Sequence, residues 1–202
     1  MTNEQLAHEL LLDRTFQLDE GGGCSAENPV FQRIRESFHQ AFWDSLVDDL
    51  KLYTPCFVRV LRVLAEIRDG ISDLAGSRDT GNISEVVDLD FIKQQAEKGF
   101  YDWETSMRLI GSILGVIQQV QAPKRDGETK LQFEQIAKSM KEADTAEQPR
   151  AFCKALEFLL NRVNVMRIDA ANARLRLIAP VIEVHGKNRS PQTYIYIQNA
   201  TI

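Results

Sequence analysis

The chain is expected to be all-α, a single bundle-like array of five or six amphipathic helices with an irregular C-terminal tail. Three observations lead there. Apolar residues recur at steps of three and four along most of the 202 residues. Helix start and stop signals (Asn28-Pro29, Thr54-Pro55, Gly99, Asp102) punctuate the stripes. Only "TYIYI" near the end is β-branched and aromatic without helical periodicity.

"LAHELLLDRTF" at 6 to 16 predicts a short helix, and "DEGGGCSAEN" at 19 to 28 a flexible linker. From Pro29, the stripe Phe31, Ile34, Phe38, Phe42, Leu46 and Leu50 predicts a helix buried along one side. After Pro55, Phe57, Val60, Leu61, Leu64, Ile67, Ile71 and Leu74 predict a second, ended by "GSRDTGN" at 76 to 82. Ser84 is the expected cap of a third, with Val86, Leu89, Ile92 and Ala96 inward, Lys93 and Glu97 outward, and Gly99 at its left-handed end. Asp102 caps a fourth, through Met107, Ile110, Ile113, Leu114 and Ile117, where Gly111 and Gly115 would admit a close neighbour. "QAPKRDGETK" at 121 to 130 is expected to be a loop, and "LQFEQIAKSM" a short helix. Gln148-Pro149 opens a long helix with Phe152, Leu156, Leu159, Leu160, Val163, Met166, Ala170, Ala173 and Leu177 inward, and Pro180 should kink or end it. The expected division is 1–27, a short helix and Gly-rich linker; 28–186, the helical domain; and 187–202, a divergent, disordered tail.

Composition narrows the function classes. With 44% hydrophobic and 26% charged residues the chain has ordinary globular usage. No apolar run approaches the roughly 20 residues a bilayer needs, and the acidic start reads as neither signal nor transit peptide. A cytoplasmic location follows as the expectation. Cys24, Cys56 and Cys153 are scattered, as are His8, His39 and His185, so free thiols and no zinc site are expected. No Ser/His/Asp or Cys/His constellation and no phosphate loop is present, so no catalytic residue, metal or cofactor is assigned. His39 reads as structural, and Trp43 and Trp103 as core anchors.

The net charge of −5 argues against nucleic-acid binding. Its distribution is uneven: from Arg150 onward eight Lys/Arg face three Asp/Glu, a surplus of five positive charges, so the first 149 residues carry −10. Arg167 and Arg174, seven apart on the long helix, form a candidate partner-binding surface for an acidic protein or a second copy. A merely solvated face is the competing reading.

Six blocks in order resemble the T-complex protein 11 family: "LAHEL" with its following Phe, "AFWDSL" at 41 to 46, "VLRVLAEIRDGI" at 60 to 71, "VVDLDFIKQQAEKG" at 86 to 99, "APKRD" at 122 to 126 and "VMRIDAANARLRLIAPVIEVHG" at 165 to 186. The resemblance covers about residues 6 to 186. It implies a helical, non-enzymatic interaction or scaffold protein in signal transduction, linked through the testis member and a yeast relative to cAMP and protein kinase A. Other relatives are associated with the cytoskeleton. The implied partner is a protein, with a cyclic-nucleotide sensor or a cytoskeletal adaptor as alternatives.

Overall fold

The computed structural model describes residues 17–18, 29–52, 54–76, 80–99 and 102–186. The expected helix at 6 to 16, the Asn28 cap, the 19–28 linker and the 187–202 tail lie outside them. Among the described residues every regular element is helical. They are α1 (Pro29–Lys51), α2 (Val58–Ala75), α3 (Thr80–Val86), α4 (Leu89–Glu97), α5 (Trp103–Val120), a 3₁₀ turn (Pro123–Arg125), α6 (Asp126–Glu142) and α7 (Gln148–Gly186). The chain divides into two compact units, Asn28–Arg167 and a second made of Met1–Glu27 with Ile168–Ile202.

In the larger unit α2 is the hub, packed against α3, α4 and α5. Its stripe buries Val60, Val63, Leu64, Ile67 and Ile71, with Leu61 and Leu74 half-buried at the edges. Thr54-Pro55 does not start it. The Cys56 amide donates back to the Asp49 carbonyl at 3.0 Å, so Pro55 and Cys56 belong to the connection and the helix opens at Val58. Gly76, at φ 63°, closes it. "TGN" does not prolong that break, because α3 already begins at Thr80 and buries Ile83.

Ser84 lies inside α3, and the helix expected from it starts later. Asp88 is the cap of α4, its carboxylate accepting from the Phe91 amide at 2.9 Å. Ile92 is buried, Leu89 only half-buried, and Gly99 sits at φ 71° where the left-handed end was expected. Asp102 caps α5 as its position predicts, accepting from the Thr105 amide at 2.8 Å. The Thr105 hydroxyl and amide hydrogen bonds hold this carboxyl below its usual range.

Among the described residues Gly111 and Gly115 admit no close helix, since an added Cβ on either would meet nothing within 4 Å. The close approach is at Gly70 of α2, where a Cβ would stand 2.5 Å from Val163 Cγ1 and 2.8 Å from Arg167 Nη2. "DGETK" is not loop but the first turns of α6, entered through the 3₁₀ turn. A polar network pins this corner. Buried Gln121 donates through Nε2 to Asp126 Oδ1 at 2.7 Å and accepts through Oε1 from the buried Thr129 hydroxyl at 2.9 Å. From α7, Arg162, only 2% exposed, reaches Glu128 Oε1 through Nη1 at 3.3 Å. Its Nε and Nη2 find no acceptor among the described residues.

The α7 stripe is buried at Phe152, Leu156, Leu159, Val163 and Met166 but does not extend through Ala173 and Leu177, which are exposed. In the smaller unit Leu175 turns inward instead, beside Leu18, Ile178 and Ala179. There Asn172 receives the Leu18 amide on Oδ1 at 2.7 Å and returns a bond from Nδ2 to the Leu18 carbonyl at 3.0 Å. Pro180 does not end α7: it removes one amide donor, and the helix continues to Gly186.

Candidate partner-docking surface

The α1 stripe departs most from expectation. Every residue from Val30 to Phe42 is exposed, and only from Trp43 does the helix enter the core, through Trp43, Leu46 and Val47. Phe31 and Phe38 are 67% and 74% exposed, with Ile34 and Phe42 beside them. The reason is geometric. Phe31, Ile34, Phe38 and Phe42 follow one line along the helix, whereas Trp43, Leu46, Val47 and Leu50 lie about a third of a turn away, and that second line faces α7. The helix carries two stripes, one exposed and one buried, rather than the single stripe its spacing predicts.

Beside this row a groove of about 450 Å³ opens between α1 and the first half of α7, lined by His39, Trp43, Lys154, Glu157, Phe158 and Asn161 among others. Phe42 meets Trp43 edge-on, ring centres 5.2 Å apart, which joins the groove to the exposed row. His39 is exposed rather than buried, but it is structural: its Nε2 accepts the Trp43 indole N–H at 3.2 Å, and its Nδ1 faces Glu157 Oε1 at 3.5 Å. With Nε2 accepting, the neutral ring carries its proton on Nδ1, toward the carboxylate. The imidazole therefore orients the indole, and Trp43 is a core anchor as expected.

Cys153, at the floor of a smaller adjoining recess, is buried, and that desolvation pushes its thiol up to about 12; Arg150 opposes the shift and Glu157 adds to it. Cys56 is half-buried, and both are free thiols. Among the described residues no three His, Cys, Asp or Glu side chains gather to hold a metal. Native Cys153 is therefore expected to resist alkylation near neutral pH while Cys56 reacts, as mass spectrometry would read. Since the folded thiol holds its proton more tightly than the ordinary value of 9.0, its contribution to stability is complete below pH 9 and falls away as pH rises toward 12.

Arg167 and Arg174 are both exposed. Arg167 lies over the Gly70 backbone and donates from Nη1 to Asn164 Oδ1 at 3.3 Å, so α2 and its own helix hold it in place. Arg174 belongs to the smaller unit. The α1 row escaped sequence reasoning as a surface because amphipathicity was read as burial; its offset from Trp43 and Leu46 was the available signal.

These features define a class: an all-helical protein whose first described helix carries an exposed, mainly aromatic row. Residues 6–186 match T-complex protein 11, and the chain belongs to that family. It is 25% identical over 184 residues to T-complex protein 11-like X-linked protein 1 of Homo sapiens, covering 90% of this chain and 33% of that one. It is similar also to T-complex protein 11 homolog of Homo sapiens, 25% identical over 157 residues (76% of this chain, 28% of the relative). Against T-complex protein 11 homolog of Rattus norvegicus it is 27% identical over 157 residues (76% and 25%). The chain thus spans a third or less of the length of these relatives. No solved structure matches it.

Proposed function

We propose that the chain is a non-enzymatic interaction and scaffold protein in signal transduction, acting in the cytoplasm, with a cytoskeletal association as part of the same role. The observation that carries this is the exposed row Phe31, Ile34, Phe38 and Phe42. A contiguous apolar patch on a chain in water marks a contact surface. No described helix is long and apolar enough to cross a membrane. Arg167 and Arg174 supply a basic component for an acidic protein, and the family resemblance favours the cAMP–protein kinase A system as its setting.

The test is capture of protein kinase A subunits by the immobilised chain at low and high salt. Wild type is expected to hold them less well as salt rises, and Arg167→Glu with Arg174→Glu to weaken capture roughly tenfold or more. No capture at any salt removes the kinase setting. Capture indifferent to both salt and charge reversal removes the arginines from the surface. The groove's volume, within the range of small-molecule sites, favours one second reading, a cyclic-nucleotide sensor. A rise in melting temperature with cAMP would support it.

A further inference from the structure

We infer that the occupant of the α1 row is a second copy of the same chain, paired helix to helix in antiparallel fashion. This rests on the reading of the row as a docking surface and assigns its partner. The row runs in steps of three, four and four: Phe31, Ile34, Phe38, Phe42. Turned end for end on itself, it sets Phe31 beside the second copy's Phe42 and Ile34 beside the second copy's Phe38. Ridges built from residues three and four apart then mesh along the whole row. Such self-complementarity is what a two-fold interface requires.

The area suffices. The four side chains, together with the apolar flank, present on the order of 500 Å² per copy. Two copies would bury about 1,000 Å², the lower bound for a specific interface. Direction follows from what else α1 carries. A parallel, in-register pair would place Arg35, on the flank of the row, next to its own counterpart. It would also bring both core-embedded halves, from Trp43 onward, to the same end. Antiparallel pairing separates the like charges and sends the two cores to opposite ends. Ser45 and Asp49 continue the line of the row and end it with polar groups, which fixes the register.

The full chain is tested by sedimentation velocity over a range of concentrations, beside Phe38→Asp. The wild type is expected to dimerise. Phe38→Asp is expected to weaken self-association by about 30-fold or more, with helical circular dichroism unchanged. In a Cys24→Ser, Cys56→Ser background, chains carrying Phe31→Cys and chains carrying Phe42→Cys should form a disulfide dimer when mixed. Neither should do so alone, because like positions stand roughly 16 Å apart along antiparallel axes, beyond disulfide reach. Phe31→Cys chains that cross-link to themselves in preference to Phe42→Cys chains would overturn the antiparallel pair. A wild type monomeric at every concentration would overturn the second copy altogether. In that event Phe38→Asp separates the two readings. An unchanged melting temperature leaves the row free for a different protein, whereas a large drop means the chain itself covers the row and the docking reading falls too.

Discussion

Ile92→Asp is expected to cost several kcal/mol, on the order of 4, in urea melts. Ile92 is 5% exposed on the inner side of α4, which packs on the hub helix α2. α4 is only nine residues long, too short to persist without that packing. A carboxylate at this position must stay charged among apolar side chains, protonate, or pull α4 off the hub, and each route destabilises the fold. The outer side of the same helix provides the control. Lys93 and Glu97 approach to 4.0 Å with side chains 58% and 64% exposed, so Glu97→Ala is expected to cost under about 0.5 kcal/mol. A large loss at Glu97 would mean that its carboxylate holds something other than one solvated lysine.

Arg162→Ala is expected to cost about 3 kcal/mol, and Arg162→Met less than about 1, with a gain in stability within reach. The alanine leaves the volume of a long buried stem empty between α7 and the α5–α6 corner. Methionine fills most of that volume and removes two buried nitrogens, Nε and Nη2, for which the described residues offer no acceptor. Glu128 keeps Arg125 at 3.4 Å and, 45% exposed, can turn to water, so losing the Arg162 ion pair costs little. Equal losses for the two variants would show that the guanidinium itself holds the corner together.

Legibility in the sequence followed the range of the interactions involved. The caps at Asp102 and Gly99 and the α2 stripe depend on residues within a turn or two, so spacing alone exposed them. Ser84 misled because Asp88 offers a better cap four residues on, with the Phe91 amide in reach. Gly111 and Gly115 had the spacing of a close helix contact, whereas Gly70 has it in space, through Val163 and Arg167, residues more than ninety positions distant. Arg162 stood in plain sight between Leu159 and Met166 as a charge inside an apolar stripe. Its corner with Glu128 and Gln121 depends on how the chain turns at Pro123, which no local pattern encodes. In the candidate site, Trp43 and the exposure of Arg167 were legible. The groove and the bare α1 row were not, because periodicity defines a face without naming what covers it.

Helix α1 is continuous as a backbone but not in its anchorage. Its hydrogen-bonded rod runs from Pro29 to Lys51, yet its buried side chains begin only at Trp43, with Asp49 tied to Arg59 at 3.3 Å and Asp44 near Arg150 at 3.9 Å. Phe31 stands roughly 18 Å out from the grip. A rod clamped at one end behaves as a lever, and a small tilt at the outer aromatic ring becomes torque on Trp43. That indole is tethered through His39 toward Glu157 of α7. Whatever takes hold of the outer half therefore also turns the wall of the groove, so the two neighbouring surfaces are mechanically one.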